Sequence, residues 1–357
     1  MSVEFFRPER AYEAQREELH AAFETVLGSR RVVLGPEVEQ FEAEFAEVAG
    51  TRHAVGVASG TDALELALRA LELPPGSEVL CPNLTAVATA AAVIRAGLAP
   101  VFVDVEPETL TMSVERAAAA LAPETTAIVA VHLYGRPAAV GALTELGVPV
   151  VEDCAHAHGL QLAGRPAGSV GRLGSFSFYP TKNLGAFGDG GAVTTSDPEL
   201  AERVRSLRAY GEGADGRVTR PGLNSRLDEL QAALLRVRLR RLRQDNERRA
   251  EIAQSYDTAL GRPSPPGVHH LYVVRSPSRE EVQDALGRAG VETAVHYPFV
   301  LSEHPAFAGA RRSGGLEASE AAARTIFSLP CYAHLSRDEE QHVAAELERL
   351  RQRYDLG

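Results

Sequence analysis

The chain has 357 residues, of which 45% are hydrophobic and 24% charged, a balance typical of a soluble globular protein with a sizeable core. At roughly 100–200 residues per domain, this length predicts two or three domains, or one large and one small. The net charge of −11 argues against nucleic acid or an anionic membrane as the main partner. We therefore interpret the basic stretch 236–249 as an amphipathic helix rather than a nucleic-acid site.

The first fifty residues are predicted to be helical. Stretches 7–27 and 35–50 contain helix formers throughout, with apolar residues three or four positions apart. Pro36 suits a first helical turn and Gly50 a helix end. From His53 onward, apolar runs alternate with helical segments, which predicts a mainly parallel sheet covered on both faces. The predicted strands are 53–60, 78–82, 99–105, 126–135, 148–157, 174–179 and 190–197. The predicted helices between them are 61–71, 86–97, 113–122 and 138–146.

The last part of the chain is predicted to form a smaller α/β domain. A long helix from about Arg226 to Tyr256 is followed by a Pro/Gly-rich break at 261–267. On this interpretation the large domain spans residues 1–240 and the small domain residues 241–357. The elements predicted after the break are a strand at 269–275, a helix at 278–290, a strand at 291–298 and a terminal helix from Arg337.

The cysteines and the N-terminus indicate a reducing compartment. Cys81, Cys154 and Cys331 are far apart and lack zinc-ligand spacing, as expected where thiols stay reduced. The N-terminal residues have no apolar core of a signal peptide, and no uncharged apolar run approaches the roughly 18 residues that span a bilayer. We therefore expect a cytoplasmic protein.

Two polar clusters follow strands of the predicted sheet, where ligands of parallel α/β sheets bind. Ser59, Gly60 and Thr61 lie where a strand turns into a helix, and the free N–H groups and the helix dipole favour a phosphate there. A plain helix cap explains the same residues without a ligand. Asp153 ends an apolar strand, so we expect its carboxylate to be partly buried and to need a cationic or hydrogen-bonding partner.

A metal site at His156 and His158 is an alternative interpretation of the second cluster, because alternate residues of a strand share a face. No further ligand pattern completes such a site in the sequence. We therefore predict no metal and expect the two histidines to serve as hydrogen-bonding groups.

Lys182, in the stretch 176–191, is a rare lysine in an arginine-rich chain. Lysine can be tuned to lose its proton and can form a Schiff base, whereas arginine stays protonated. The stretch matches neither the phosphate-loop nor the dinucleotide pattern, and an ordinary surface lysine fits poorly between a buried strand and a glycine turn. A further cluster pairs Asn224 with Arg226 and Asp228, for which a helix cap and helix-surface charges are the simple alternative.

Together the clusters predict one ligand. It has a phosphate for Ser59 to Thr61 and Ser177, a group that needs the carboxylate of Asp153, and an aldehyde for the amine of Lys182. Pyridoxal 5′-phosphate meets all three demands, because its carbonyl traps a lysine and its ring nitrogen becomes an electron sink when an acid keeps it protonated.

With these residues in place, the sequence resembles the sugar aminotransferases of the DegT/DnrJ/EryC1/StrS family, which have the fold-type I, aspartate-aminotransferase-like architecture. The resemblance covers nearly the whole chain. It implies an α/β fold with a large domain, whose mostly parallel mixed sheet is covered by helices, and a smaller C-terminal α/β domain. The stretches that carry it are 32–46, 57–68, 100–109, 131–135, 152–159, 176–191, 207–211, 224–233, 296–298 and 328–330.

The resemblance implies roles for the residues around the cofactor. Lys182 would hold pyridoxal phosphate covalently and then shuttle the proton, and Asp153 would pair with the ring nitrogen. His156 occupies the position that contacts the ring hydroxyl. The remaining cofactor-binding positions are Ser59, Gly60, Thr61 and Ser177 at the phosphate and Ala86 at the ring. Many relatives carry a stacking aromatic residue where this chain has Ala86, which is a departure from the family pattern.

The resemblance also implies what surrounds the cofactor. Asn224 would reach the phosphate from the neighbouring subunit, which implies a homodimer whose active sites are shared across the interface. Tyr179, His296 and Tyr297 match positions that line the sugar side.

The implied reaction moves an amino group from L-glutamate, or glutamine, through pyridoxamine 5′-phosphate to a keto-sugar of a nucleotide-activated sugar. Stretches 176–191 and 222–233 are most similar to relatives that make 3-amino-6-deoxyhexoses on a dTDP carrier. The alternatives are an aminotransferase for a UDP-keto-sugar or a keto-cyclitol, and a non-catalytic regulatory homologue. A pyridoxal-dependent lyase that uses a mobile cysteine is a further alternative, although we expect Cys331 to pack in the small domain.

Overall fold

The N-terminal helices pack against the large domain in the structure, a computed structural model that describes residues 1–213 and 215–357. The stretch 7–27 is mostly helical, as predicted, but it is divided into two helices near Gln15, whose side-chain amide donates to the carbonyl of Val237 at 3.1 Å. Pro36 and Gly50 lie at the first turn and just past the end of the third helix, as predicted. These helices are α1 (Pro8–Glu13), α2 (Arg16–Gly28) and α3 (Pro36–Val48).

The alternating part of the chain forms strands and helices close to the predicted ones. The strands are β1 (His53–Val57), β2 (Glu78–Pro82), β3 (Ala99–Val103), β4 (Thr125–Val131), β5 (Val150–Asp153), β6 (Gln161–Leu162), β7 (Arg165–Pro166), β8 (Leu173–Ser177) and β9 (Gly191–Thr195). The helices are α4 (Gly60–Ala70), α5 (Val87–Arg95), α6 (Val114–Ala120), α7 (Val140–Thr144) and α8 (Pro198–Leu207). The short pair β6 and β7, which the sequence did not predict, forms a separate hairpin.

The main sheet of the described chain has the strand order β1-β9-β8-β5-β4-β2-β3-β11, where β11 is Arg311–Arg312. Strand β9 runs antiparallel to both of its neighbours, and the other neighbouring pairs are parallel. The predicted mostly parallel mixed sheet is therefore confirmed. In the register, Asp153 lies beside Val131 of β4 and Ser175 of β8, which places its carboxylate at the carboxyl edge of the sheet.

An aromatic cluster packs α3 against the strand that leads to Lys182. Phe45 lies edge-on to Phe176 and Phe178, with ring centroids 4.9 and 5.2 Å apart, and Phe41 lies edge-on to Phe178 at 5.3 Å. Such pairs each contribute about 0.5–1.5 kcal/mol beyond the area they bury. The alternate residue Ser177 points away from this cluster and towards Gly60, so the strand is anchored on one face and functional on the other.

The second part of the chain differs from the prediction in two places. The predicted helix from Arg226 to Tyr256 is wrong as one helix, because it is interrupted at Arg240 and Arg241, where Leu242 turns into the core. The predicted strand at 291–298 is also wrong: its described backbone makes only isolated bridges to Val3 and Ser328. The observed elements are α9 (Glu229–Leu239), α10 (Leu242–Leu260), β10 (Tyr272–Arg275), α11 (Arg279–Arg288), α12 (Glu317–Thr325), β12 (Ile326–Leu329) and α13 (Arg337–Arg351).

The small domain is built around the antiparallel pair β10 and β12 and the packed helices α10 and α13. The domain limits of 1–240 and 241–357 stay a prediction, and the helix break falls at this boundary. Two segments contact the domain opposite to their own in sequence. Val3 packs into the core of the small domain, and β11 pairs with β3 of the main sheet. None of the helices in the described ranges combines the length and the apolarity required to cross a membrane.

Candidate active site

A cavity of about 570 Å³ lies between the carboxyl edge of the main sheet and the small domain. It brings together nearly all of the residues that the sequence predicted for one site, although they come from widely separated stretches. The predicted residues that line it are Ser59, Gly60, Thr61, Ala86, Asp153, His156, Ser177, Tyr179, Lys182, His296 and Tyr297. Asn224 lies outside it.

The first turn of α4 forms one end of the cavity. Ser59 is the N-cap residue, and its Oγ accepts a hydrogen bond from the amide of Asp62 at 3.1 Å. The cap that we considered as an alternative is therefore present, but it leaves the start of the helix facing the cavity, where a phosphate is favoured. A Cβ atom on Gly60 would lie 2.4 Å from Cβ of Ser177 and 3.0 Å from its Cα. Glycine is required here because the two backbones approach so closely.

We expect Gly60→Ala to weaken cofactor binding and to destabilise the protein by about 1–3 kcal/mol, because the new methyl group must displace the backbone of Ser177. Titration of the apoprotein with pyridoxal phosphate and chemical denaturation measure the two effects. Gly141→Ala is the matched control, because a Cβ atom there meets nothing within 4 Å. Equal cofactor affinity in the two variants would contradict the assigned phosphate end.

Asp153 lies at the end of β5 with both carboxylate oxygens oriented by the protein. Thr89 donates to its Oδ2 at 3.2 Å, and the amide of Ala155 donates to its Oδ1 at 3.1 Å. Burial raises the pKa of this carboxyl group, while these donors and the nearby amine of Lys182 lower it. A half-buried carboxylate with a raised pKa is stabilised by a cationic partner from the cavity. A protonated ring nitrogen meets that requirement.

His156 faces the cavity as a neutral hydrogen-bond donor. Its Nδ1 accepts from the amide of Tyr134 at 3.1 Å, so the ring proton lies on Nε2. Burial, followed by the charge of Lys182, holds the pKa of His156 well below its ordinary value. The neutral ring therefore offers an N–H group to an oxygen atom of a ligand without adding a second positive charge.

The two histidines considered for a metal do not share a site. His158 is fully buried beside Phe176 and Phe178, with ring centroids 5.5 and 5.8 Å apart, and it does not line the cavity. Burial lowers its pKa to about 3. The structure thus separates His158 from His156 and leaves it a packing role.

Below the site, His132, Glu152 and Cys154 lie close enough together to hold an ion. The side chains of His132 and Glu152 already have protein partners: His132 Nε2 lies 3.1 Å from Glu152 Oε2, and the amides of Gly168, Val170 and Gly171 donate to the same carboxylate. Burial raises the pKa of the Cys154 thiol, which disfavours the thiolate that a metal needs. We interpret this cluster as a support for β5.

Lys182 is the only lysine in the chain, and its loop is held firmly. Its own amide donates to the carbonyl of Tyr179 at 2.8 Å. The next residue, Asn183, uses its side-chain nitrogen to bind Asn246 at 2.8 Å and the carbonyl of Val268 at 2.9 Å. Burial lowers the pKa of the Lys182 amine to about 8, and the charge of Asp153 partly offsets this effect. The amine can therefore lose its proton close to neutral pH.

We expect the unloaded protein to react with an amine reagent at residue 182 at a rate that rises with pH and levels off above about 8. Asp153→Asn should shift the midpoint to lower pH, because the carboxylate raises the amine pKa. Peptide mapping separates Lys182 from the N-terminal amine. A midpoint near 10.5, the ordinary value for lysine, would contradict the buried environment of this amine.

The lowered pKa of Lys182 also makes the free energy of unfolding of the unloaded protein depend on pH. Between pH 8 and 10.5 the unfolded chain binds a proton at Lys182 that the folded chain has released. The contribution of this group to the free energy of unfolding therefore rises with pH across that window.

The mouth of the cavity is formed by the residues predicted for the sugar side and by others that the sequence reasoning missed. Tyr179 is 53% exposed, and Nδ1 of His296 lies 2.9 Å from Oγ of Ser328. Burial, and then the charge of Asp153, raises the pKa of Tyr297, so its hydroxyl stays protonated. The missed residues that line the cavity include Phe5, Phe6, Arg249, His270 and Leu329. Arg249 belongs to the basic stretch 236–249. Nothing in the sequence distinguishes it, as a residue that faces the cavity, from the other arginines of this stretch.

Cys331 packs in the core of the small domain, as predicted, and also borders the cavity. Burial raises the pKa of its thiol to about 11, so the thiolate needed for a mobile nucleophile is disfavoured.

With this geometry established, comparison with known proteins decides the family. The model of the DegT/DnrJ/EryC1/StrS aminotransferase family matches residues 13–348. The chain belongs to the DegT/DnrJ/EryC1/StrS aminotransferase family.

Individual relatives of this DegT/DnrJ/EryC1/StrS aminotransferase agree with the assignment. The dTDP-3-amino-3,4,6-trideoxy-alpha-D-glucose transaminase of Streptomyces venezuelae is 44% identical over 368 aligned residues, which cover 99% of this chain and 97% of that protein. The solved structure of S. venezuelae DesV in complex with a ketimine intermediate matches with a TM-score of 0.95 and 44% identity, covering 99% of this chain and 100% of that one. Bacillus subtilis NtdA with bound PMP matches with a TM-score of 0.91 and 28% identity, covering 99% of this chain and 86% of that one. The predicted family, fold type and aminotransferase class are confirmed.

Two positions of this DegT/DnrJ/EryC1/StrS family member remain to be placed. Ala86 is the N-cap of α5 and provides no side-chain cap, and the adjacent Val87 is 51% exposed on the lining of the cavity. Asn224 is exposed and borders a second cavity of about 610 Å³, to which Ser59 also contributes. In the single chain, Asn224 therefore lies near the phosphate end without entering the first cavity.

Proposed function

We propose that the protein transfers an amino group from L-glutamate, or glutamine, to a keto-sugar carried on a nucleoside diphosphate. The acceptor is a dTDP-linked 3-oxo-6-deoxyhexose. The observation that carries this proposal is that one cavity brings together the chain's only lysine, a carboxylate at a strand end, and a helix start where Gly60 closely approaches Ser177. The related S. venezuelae transaminase supports the class of acceptor.

The cavity residues fit pyridoxal phosphate. Gly60 and Ser177 leave no room for a side chain at the helix start, where the phosphate would lie. The carboxylate of Asp153 would be stabilised by a cationic group in the cavity. His156 can donate one N–H group, and the amine of Lys182 can lose its proton close to neutral pH. The pyridoxamine phosphate in the related Bacillus subtilis structure agrees with this fit, and the cofactor prediction is thereby confirmed.

The chemistry of the chain's own residues follows from these positions. When bound, the cofactor supplies an electron sink for the charge left by a departing proton. The amine of Lys182 would act as the general base that takes this proton from the donor's Cα and as the acid that delivers it to the cofactor's former aldehyde carbon, a role suited to its pKa of about 8. With the cofactor bound, Asp153 would hold a positive charge on the ring nitrogen, and His156 would donate its Nε2–H to an oxygen atom of the ring. Tyr179, His296 and Tyr297 contact the sugar at the mouth of the cavity.

The test uses two half-reactions of the purified holoenzyme. L-glutamate and glutamine are each added to the cofactor-loaded enzyme, and the loss of its visible absorbance is followed. The amine form is then offered dTDP- and UDP-linked keto-sugars and a keto-cyclitol, and the amino product is measured by mass spectrometry. Failure of every donor to change the absorbance would instead support a non-catalytic regulatory homologue, and a preference for another acceptor would replace the dTDP-sugar.

A homodimer with shared active sites is part of this proposal. Asn224 is exposed, lies outside its own cavity and borders the second cavity together with the 40%-exposed Val33, so a partner subunit is the expected recipient of its side chain. Mixing Lys182→Ala with Asn224→Ala protein should restore activity, because a mixed dimer would contain one unaltered site. No recovery in demonstrably mixed dimers would contradict a shared site.

We also place the enzyme in the cytoplasm, which its free, buried cysteines favour.

A further inference from the structure

A buried arginine on the small-domain wall of the cavity has no carboxylate partner. Arg249 is 5% exposed and lines the cavity. Its Nη1 donates to the backbone carbonyls of His269 at 3.3 Å, His270 at 3.4 Å and Cys331. None of the described acidic side chains forms a salt bridge with it, whereas its neighbour Arg248 pairs with Glu340 at 2.5 Å. A buried charge without a counterion is costly.

The other two nitrogens of the guanidinium group keep some solvent contact, although the residue as a whole is only 5% exposed. Nε and Nη2 of Arg249 make no hydrogen bond to the described residues, and neither atom is sealed from solvent. These atoms can present two N–H groups side by side, which is the arrangement that binds a carboxylate through two parallel hydrogen bonds. Three backbone carbonyls fix the third nitrogen, so the group is already oriented.

The surroundings favour a small monoanion over a diphosphate. Among the described residues that line the cavity, Lys182 and Arg249 are the only lysine and arginine, and Lys182 is reserved for the reaction. Burial, together with the charges of Lys182 and Arg249, lowers the pKa of His270, so this ring adds no positive charge. The single positive charge of one buried guanidinium group balances the negative charge of one carboxylate. A nucleoside diphosphate carries more negative charge than one guanidinium group can neutralise.

We propose that Arg249 binds a carboxylate of the amino-acid donor and thereby holds the donor's amino group over the reacting centre. This inference rests on the proposed function and extends it to the donor subsite. Both L-glutamate and glutamine carry an α-carboxylate, so the subsite serves either donor. Since the sugar acceptor offers no carboxylate, the two half-reactions should depend on Arg249 to different extents.

The test measures the two half-reactions of Arg249→Gln and Arg249→Lys holoenzymes. We expect Arg249→Gln to raise the KM for L-glutamate on the order of 100-fold, since it leaves the carboxylate unpaired. The reaction of the amine form with the keto-sugar should change little, which also shows that the variant is folded. Arg249→Lys, which keeps the charge, should recover part of the loss. Arg279→Gln is the matched control, because Arg279 also donates to backbone carbonyls but lies outside the cavity.

A binding measurement gives a readout that does not depend on turnover. Glutarate, a dicarboxylate without an amino group, should bind the wild-type holoenzyme in calorimetry and bind Arg249→Gln far more weakly. Unchanged glutarate affinity and an unchanged KM for L-glutamate would overturn the donor subsite, as would equal losses in both half-reactions. If no donor reacts with the wild type, the proposed function fails, while glutarate binding that depends on Arg249 would still support the carboxylate site.

Discussion

Lys182→Ala is expected to lower the rate of amino transfer by about 10⁴-fold, because it removes the general base and acid of the reaction. No other lysine in the chain can replace it. The transfer rate from L-glutamate to the keto-sugar is the measurement, and the visible absorbance of the lysine-bound cofactor should disappear as well.

The control for this change is Lys182→Arg, which keeps a positive charge near Asp153 but cannot lose a proton near neutral pH. It should be as inactive as the alanine variant if proton transfer is the essential role. Borohydride reduction of the loaded wild type should fix one cofactor on residue 182 and none elsewhere except at a reactive N-terminus. A Lys182→Ala protein that still cycles between donor and acceptor would refute the assignment.

Asp153→Asn should reduce amino transfer on the order of 10³-fold while leaving the fold intact. The amide has the same shape as the carboxylate but cannot hold a positive charge on the ring nitrogen, and such electrostatic groups account for about 10²–10³-fold or more in rate. The rate of proton loss from L-glutamate, compared with that of deuterated glutamate, measures the effect at the chemical step.

Thr89→Val provides the graded comparison for Asp153. It removes one donor, at 3.2 Å from Oδ2, and keeps the carboxylate itself. We expect a loss of roughly 1 kcal/mol in transition-state stabilisation, in line with a single hydrogen bond. A Thr89→Val loss as large as that of Asp153→Asn would indicate that orientation matters more than charge.

Local patterns in the sequence predicted the strands and the residues at their carboxyl ends, because strand formation in these segments follows from the residue types of neighbouring positions. The buried runs ending at Asp153 and Ser177 needed only their apolar character and their order along the chain. The sequence assigned Gly60 and Ser177 to the same phosphate, but the close approach between these two residues came only from the structure.

The errors have a common physical origin in long-range packing. The turn near Gln15 depends on a hydrogen bond to Val237, which is 222 positions away. Residues 291–298 alternate like a strand but turn into the cavity with His296 and Tyr297. Arg249 was hidden among surface arginines, because its direction is set by the carbonyls of distant segments.

The hydrogen bonds of Asn183 couple the two parts of the molecule mechanically. This side chain follows Lys182 directly and is bound to Asn246 in α10, to the carbonyl of Val268 and, at 3.2 Å, to Nδ1 of His270. A rotation of the small domain away from the sheet would pull on the loop that carries the amine. Because Asn183 follows Lys182 directly, these hydrogen bonds tie the position of the reactive amine to the position of the small domain.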